Sequence, residues 1–439
     1  MVVSIKRKLH WGLIAVVVAE MRSSFGCILK RYREEAGLTL AELSIKTDIS
    51  SGTISKIETD SLTLPNMRNV IRLAETLDIS LYEAVMPYLD KIKRTKTFEL
   101  LLETAINQGN AVLTQKIASK LLECPKSNTF LSLDYLYQLA GNTENIEFRF
   151  LIYGVISQYS REHGIPVFLA RSLYQKYLIQ RDSFKKLDES YIEGMELLHY
   201  ISYLHVDERV MTYYKLGSHA LFRGCHEECI HLCKKGINED HKRDELTAKA
   251  YLAIIIAYIE LRDYILAKVY LDAYEQLDCL NVQKESQYLR AILYAKTTDD
   301  IEKAVPLLLD CLHMRPQNEK LPVVNDLLDI YIRLGDELGV VDIFRSESSF
   351  LPTNVGTPNQ CTHLGLYFRA KGNFYIEKGD LDMGCASLLE SAMYYKKMMK
   401  LEEAIKSIGY IFEYYTANKE NLPFGILQKM EILYTVHNT

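Results

Sequence analysis

The amino-acid sequence predicts an all-α protein built from two different helical parts. Residues 24–90 contain short amphipathic segments with helix-capping signals, and from about residue 97 onward apolar residues recur at helical spacing without a strand pattern. Several stretches after residue 210 also resemble one another, which indicates internal repeats. The chain has 439 residues, more than one hydrophobic core usually supports, so more than one unit is expected.

Charge is unevenly distributed along the chain. Residues 1–96 carry 15 Lys and Arg against 11 Asp and Glu, a net of +4, while the remainder carries 37 against 46, a net of −9; together they give the overall −5. The first part is therefore the expected partner of a polyanion, and the rest is not expected to bind nucleic acid non-specifically. Nine Cys without framework spacing predict reduced thiols and a cytoplasmic location.

The first twenty residues combine basic residues with an apolar stretch, "KRKLHWGLIAVVVAEM". This pattern superficially resembles a signal peptide, but its cleavage region is poor. We expect residues 1–20 to be an extension of uncertain role, with Met21 as a candidate start. A segment that touches a membrane is the alternative, although no apolar run here is long enough to predict a spanning helix.

The second predicted helix begins with a capping box. The first helix, "SFGCILKRYREEA", ends at Gly37; Thr39 can then cap the second, with Glu42 three residues later. Asp48 falls at the bend that follows, where Asp tolerates the left-handed conformation. Ser50 is placed to cap the third helix.

The third helix has a short apolar side and a small polar side. Ile54 and Ile57 are predicted to face the core. Short polar side chains and one Lys on the opposite face suit the major groove of DNA, because they let the helix approach closely. The candidate DNA-binding residues are Ser51, Gly52, Thr53, Ser55, Lys56 and Thr59.

Two runs, "LKRYREEAGLTLAELSIKTDISSGTISKIE" and "MRNVIRLAETLDISLYEAV", resemble the helix-turn-helix domain of the Xre/Cro/lambda-repressor family. The resemblance implies a five-helix DNA-binding domain over residues 21–90 and a structural ion pair between Arg33 and Glu58. The sequence departs from the family at Leu40, often Gln, and at Asp48, often Gly. The alternative is a helical domain that has lost DNA binding and serves as a dimer or docking surface.

Residues 91–100 are predicted to be a linker helix or hinge. They contain the basic run "KIKRTK", which either contacts phosphate or lies in a solvated hinge. Both interpretations remain open on the sequence alone.

Residues 101–439 are predicted to form degenerate tetratricopeptide-like repeats. Similar stretches begin at Tyr213, Tyr251, Tyr288 and Tyr367, with a weaker copy between them. One aligned column contains Gly217, Ile255, Ile292, Gly335 and Gly372, and a column of small residues contains Cys229, Ala267, Ala304 and Gly384 or Cys385. The predicted fold class is therefore all-α: an N-terminal helix-turn-helix domain followed by a right-handed α-solenoid.

The first helix of each predicted hairpin should line the inner surface of the solenoid, where an extended ligand binds. In the middle repeats the inward positions are apolar: Ile256, Ile259, Leu289 and Leu293. Later ones are polar and can pair with a peptide backbone or its charged groups. The candidate peptide-binding residues are Asn325, Asp329, Arg333, Arg369, Asn373 and Glu377. An ordinary solvated helix face is the alternative.

No catalytic motif, phosphate loop or cofactor-binding motif is found, so an enzyme is not expected. The run "GCHEECIHLC" places Cys225, Cys229 and Cys233 at i, i+4 and i+8, which is a possible zinc pattern. Because two of these Cys occupy the core columns of a repeat, packing accounts for them, and no metal site is predicted.

The combination of an Xre-type domain with such repeats resembles the Gram-positive peptide-pheromone receptors, which include the Rap, NprR, PlcR, PrgX and Rgg groups. The run "EECIHLCKKGI" after "TYYKLGSHAL" is most similar to the AimR arbitrium receptors of Bacillus phages, which control lysis and lysogeny. The resemblance implies a cytoplasmic homodimer whose binding to operator DNA is modulated by a short imported peptide. The alternative is a repeat-based adaptor that sequesters a signalling partner.

Overall fold

The computed structural model describes residues 24–125, 128–181, 186–297 and 301–435; the predicted extension at residues 1–20 lies outside them. Within these ranges the regular elements are all helical, and the predicted fold class is confirmed. The chain divides into two compact units between Lys176 and Tyr177. The predicted boundaries near residues 90 and 100 lie inside the first unit and remain predictions.

The early helices are short and those after residue 94 are longer. The helices up to residue 180 are α1 (Phe25–Glu35), α2 (Leu40–Thr47), α3 (Ser51–Glu58), α4 (Met67–Thr76), α5 (Leu81–Val85), α6 (Thr95–Asn107), α7 (Ala111–Leu122), α8 (Thr129–Asn142), α9 (Ile146–Glu162) and α10 (Pro166–Gln180). The basic run "KIKRTK" contains the end of a 3-10 turn, Met86–Lys91, and the start of α6.

Consecutive helices in the second unit pair as antiparallel hairpins. They are α11 (Leu187–Leu197), α12 (Val206–Phe222), α13 (His226–Glu239), α14 (Glu245–Glu260), α15 (Tyr264–Tyr274), α16 (Val282–Thr297), α17 (Ala304–Met314), α18 (Leu321–Leu334), α19 (Glu337–Arg345), α20 (Pro358–Glu377), α21 (Leu381–Lys397), α22 (Leu401–Ala417) and α23 (Phe424–Thr435). No described helix is long and apolar enough to cross a membrane.

Helices of one hairpin cross closely where small residues meet. The predicted small-residue column is buried throughout, from Cys229 and Ala267 to Ala304 and Cys385. At Gly372 a Cβ atom would lie 2.6 Å from the Leu388 side chain, so this crossing requires glycine. The structure has all nine Cys as free thiols.

The alignment of the weaker repeat copy was wrong by six residues. Gly217, Ile255, Ile292 and Gly372 each precede the last residue of their helix by five positions. Gly335 instead follows the end of α18, where it caps the helix in the left-handed conformation (φ 70°). A glycine that ends a helix and one that allows close crossing look alike in sequence. In α18 it is Asp329 that precedes the last residue of the helix by five positions.

Tyrosine fills much of the core of the repeats, and several of its buried hydroxyl groups bind carboxylates. The Tyr214 hydroxyl donates to Asp240 at 3.0 Å, and the Tyr367 hydroxyl donates to Glu347 at 2.6 Å. Burial, with the nearby carboxylate second, raises the pKa of both phenols. These groups are therefore protonated donors: Tyr214 ties α12 to the end of α13, and Tyr367 ties α20 to the turn after α19.

Candidate functional site

The turn between α2 and α3 places the third helix across the second. Thr39 and Glu42 form the predicted capping box on α2, and Asp48 ends that helix in the left-handed conformation (φ 52°). Ser50 then caps α3 by accepting from the Thr53 backbone N–H. These local signals are those that the sequence predicted, and they set where the third helix begins.

The inner side of α3 is fixed by packing and by one ion pair. Ile54 and Ile57 are fully buried. Arg33 on α1 donates to Glu58 through Nε at 2.6 Å and Nη2 at 3.0 Å, and its Nη1 donates to the Leu38 carbonyl. The hydrogen bond to Glu58 raises the pKa of Arg33 further, so the guanidinium stays charged. The last turn of α3 therefore cannot rotate independently of α1.

Gly26 allows α1 and α3 to touch backbone to backbone. A Cβ atom at this position would lie 2.4 Å from the Ile57 carbonyl oxygen and 2.9 Å from that of Glu58. Sequence reasoning missed this residue, because only the three-dimensional crossing distinguishes it from any glycine in a first helical turn.

The outer side of α3 presents the predicted DNA-binding residues together. Ser51, Gly52, Lys56 and Thr59 are exposed, and Thr53 and Ser55 are half-buried. The hydroxyl groups of Thr53 and Thr59 are already engaged, with Ser50 at 2.8 Å and with the Ser55 carbonyl at 2.8 Å. Lys56 is therefore the long, charged donor that this face offers to a nucleic acid.

The second unit contains a groove with a volume of about 1410 Å³. Small-molecule pockets usually measure roughly 300–1,000 Å³, so this groove has room for an extended ligand. The first helices of successive hairpins line it, as the sequence predicted: α12, α14, α16, α18 and α20. Its apolar floor includes Leu252, Ile256, Ile259, Leu289 and Ile292.

Of the six candidate peptide-binding residues, Asn325 lines this groove and the other five do not. Asp329 and Arg333 lie exposed one and two turns further along α18, 3.7 Å apart in an ion pair. Asn373 and Glu377 lie in the C-terminal half of α20, away from the residues of that helix that line the groove.

Arg369 is occupied within the array. Its guanidinium donates to the Glu403 carboxylate at 2.7 Å and to the Ser407 hydroxyl at 3.0 Å, and it lies over the Tyr395 ring. This residue therefore ties α20 to α22.

The groove crosses the helices obliquely, which explains why the predicted register failed on later helices. It uses the C-terminal end of α12 (Ser218–Phe222), the length of α14 and α16, and only the N-terminal parts of α18 and α20. On α20 the lining residues therefore include Gln360 and His363, whereas the sequence pointed to Arg369 and beyond. The rotation of each hairpin relative to the one before it is set by the packing between them. No short stretch of sequence therefore reveals it.

A polar cluster stands on one wall of the groove. The Tyr288 hydroxyl donates to Asp326 at 2.5 Å, and Arg315 donates to Glu285 at 2.7 Å while lying 4.8 Å from the Tyr288 ring centre. Burial raises the pKa of Asp326 to about 6, and it raises that of Tyr288 well above its usual value. The cluster therefore presents the Asp326 and Glu285 carboxylates beside the Tyr288 ring, which suits a polar part of a ligand.

Asn325 is oriented by its neighbour on α20. Its amide nitrogen donates to the His363 carbonyl at 3.0 Å, and its Oδ1 has no partner within the described residues. Burial lowers the pKa of His363 to about 4, with Lys400 contributing, so this imidazole is neutral at physiological pH. Sequence reasoning missed His363, whose groove position depends on the oblique course described above.

Together these features define a helix-turn-helix domain and a helical-repeat array with a ligand-sized groove on one chain. The family described as Helix-turn-helix (HTH_3) matches residues 29–83, which contain α2, α3 and α4. Among curated proteins, none matches the chain.

Two solved structures show a weak likeness. A Rap protein complexed with competence and sporulation factor gives a TM-score of 0.38 at 11% identity, over 89% of this chain and 100% of that one. Bacillus thuringiensis PlcR in complex with the peptide PapR7 and DNA gives 0.28 at 15% identity, over 71% and 98%. At these scores neither likeness bears on the function.

Proposed function

We propose that this protein is a cytoplasmic transcriptional regulator whose binding to operator DNA is modulated by a short imported peptide. A homodimer reads two operator half-sites with the outer side of α3, and the peptide lies in the groove of the second unit. The observation that carries the proposal is the presence on one chain of an exposed, capped recognition helix and a groove of about 1410 Å³.

The groove favours a peptide over a compact metabolite. Its apolar floor suits side chains, and amide groups along its walls suit a peptide backbone, which offers alternating donors and acceptors. The amide residues that line it are Asn281, Asn318, Asn325, Asn359 and Gln360.

A peptide changes DNA affinity only if it binds two shapes of the protein unequally. In a dimer, two reading helices must match half-sites about one helical turn (~34 Å) apart. A ligand that favours an array shape with a different spacing shifts the equilibrium by its differential affinity. The resemblance to arbitrium receptors suggests a phage lysis–lysogeny decision as the process controlled.

The test is fluorescence anisotropy of the full chain with DNA from the flanks of its own gene. It is run with and without the synthetic C-terminal peptide of any short secreted reading frame directly downstream. Specific binding that the peptide changes supports the proposal. Absence of specific binding at low salt, where phosphate contacts are strongest, overturns it.

A second candidate, a protein-binding adaptor, is favoured by one surface outside the groove. Ile265 and Val269 lie four residues apart on α15 with 80% and 55% of their surface exposed. Apolar residues at this spacing form a helical stripe that a partner protein can cover. If DNA binding fails, Ile265→Ser should abolish capture of such a partner, whereas the exposed control Lys268→Ser should not.

A further inference from the structure

Two residues 178 positions apart in the sequence meet at the rim of the groove. Lys400, in the turn between α21 and α22, donates its ammonium to the Phe222 carbonyl at 3.2 Å. The same ammonium lies 4.0 Å from the centre of the Phe222 ring. Phe222 is the last residue of α12, so this contact joins the first groove helix to the hairpins that follow α20.

Within the described residues, the direct contacts of the Lys400 ammonium are with neutral groups, the carbonyl and the ring of Phe222. No salt bridge joins it to a carboxylate within the described part of the chain, and the nearby Glu403 is engaged by Arg369 and Lys406. Burial lowers the pKa of Lys400. A carbonyl oxygen and an aromatic face together stabilise a partly desolvated ammonium, but less firmly than a carboxylate would.

The backbone presents Lys400 in a fixed direction. Met399 occupies the left-handed conformation (φ 59°), which is uncommon for a non-glycine residue, and the Lys400 amide donates to the Tyr395 carbonyl. The Phe222 ring also packs against the core cluster of these later hairpins, which contains Leu388 and Ile411. Both partners also line the groove.

We propose that Lys400 and Phe222 form a latch that holds the rim of the groove together and must open to admit a ligand. The Phe222 ring also packs on the core of these later hairpins, so the Lys400–Phe222 contact lies where the first groove helix meets them and is positioned to control their separation. Rupture of the latch lets the rim part, while the hairpin cores on either side remain packed. That the ligand is a peptide rests on the proposed function, but the latch itself does not.

The test is the alkylation rate of Cys279, a half-buried thiol that lines the groove. The full chain is treated with N-ethylmaleimide, and modification at each Cys is followed by peptide mass spectrometry. Lys400→Met keeps the length of the side chain but removes the ammonium, and it should raise the Cys279 rate about tenfold, the factor expected from losing a charged hydrogen bond and a cation–π contact. Lys400→Arg should stay near the wild-type rate.

Cys27 and Cys361 serve as internal standards. Cys27 is exposed in the first unit and should react equally in all variants, while buried Cys361 reports loss of the fold. If Lys400→Met makes Cys361 reactive, that variant has lost its fold and Phe222→Leu is tested instead. Phe222→Leu removes the aromatic ring and keeps the backbone carbonyl that accepts from Lys400. The latch proposal is wrong if a folded variant that lacks the Lys400 ammonium or the Phe222 ring alkylates Cys279 at the wild-type rate.

A distance measurement checks the movement directly. Non-cysteine spin labels at exposed Glu227 and Ile405, outside the groove, should report a longer and broader distance in Lys400→Met than in Lys400→Arg. Neither assay uses DNA or peptide. A failed latch therefore leaves the proposed function standing, and a failed peptide assay leaves the latch standing.

Discussion

Arg33 and Glu58 link the first helix to the end of the recognition helix, with their side chains only 11% and 6% exposed. The pair is bidentate, and Arg33 also donates to the Leu38 carbonyl. It therefore determines the orientation of a helix whose own core contact is limited to Ile54 and Ile57. Domain stability and the proposed reading of DNA should therefore depend on the same two side chains.

Removal of one charge from this pair should destabilise the DNA-binding domain. Glu58→Gln leaves the Arg33 guanidinium without its carboxylate, and we expect the free energy of opening of α3 to fall by about 3 kcal/mol. Amide hydrogen exchange across α1 and α3 in the full chain measures this. Glu34→Gln is the matched control: Glu34 is 57% exposed and should change the same quantity by less than about 0.5 kcal/mol. Equal effects would show that the pair has no special role.

The outer side of α3 should tolerate substitution in the folded protein but not on DNA. A Cβ atom at Gly52 meets nothing within 4 Å, so Gly52→Leu should fold normally and even gain about 1 kcal/mol in helix stability. The added bulk should nevertheless block approach to the major groove and abolish specific binding in the anisotropy assay. Unchanged binding would place the interface elsewhere.

Lys56 should contribute mainly electrostatic affinity. Lys56→Met should reduce the slope of log K against log salt concentration by about one, because one phosphate or base contact is lost. Lys30→Met, an exposed Lys on α1, is the control and should leave the slope unchanged. The measurement is a titration at several salt concentrations.

Substitutions in the groove, rather than near the C-terminal ends of α18 and α20, should change the effect of the peptide on DNA binding. Asn325→Leu removes both the amide hydrogen bond to His363 and the unpaired acceptor, so the peptide response should weaken by about tenfold or more. Asn373→Leu, on α20 but outside the groove, should respond like the wild type. The reverse result would favour the register predicted from the sequence.

The crossing of α20 and α21 should reject even one methyl group. Gly372→Ala places a Cβ atom 2.6 Å from Leu388 and 3.0 Å from the Gly384 carbonyl oxygen, which should cost about 1–3 kcal/mol of stability. Gly154→Ala, within α9 and with open space around it, should stabilise by about 0.5–1 kcal/mol. Urea unfolding measures the free energy of unfolding of the two variants. Equal changes in that free energy would argue against a close crossing of α20 and α21.

Asp326 should make the array less stable as pH rises. Its pKa is raised from the usual 3.8 to about 6, so the folded state binds this proton more tightly than the unfolded chain does. The stability that this preference provides is present below pH 3.8 and is lost as pH rises through 6. Asp326→Asn should therefore raise Tm more at pH 7.5 than at pH 4.5.

Asp310→Asn provides the control for this pH dependence. Asp310 is exposed on the neighbouring α17, so its replacement should give a small shift in Tm that is similar at the two pH values. A gain for Asp326→Asn that does not depend on pH would show that its carboxyl is not perturbed.

Local features were predictable from the sequence because their causes lie within a few residues. The Thr39–Glu42 capping box, the left-handed Asp48 and the buried Ile54 and Ile57 all follow from one or two turns of chain. The choice of the first helix of each hairpin as the groove wall was also predicted. It depends on the repeat pattern and not on how far successive hairpins rotate.

What the tertiary structure decided is where distant residues meet. Gly335 was aligned as a crossing glycine but ends a helix, and Arg369 was assigned to a ligand but binds Glu403. The contact between Lys400 and Phe222 spans 178 residues. The contacts of Arg369 and Lys400 depend on small rotations that add up over several hairpins. Helical periodicity determines which residues share a face, whereas packing between hairpins determines what that face meets.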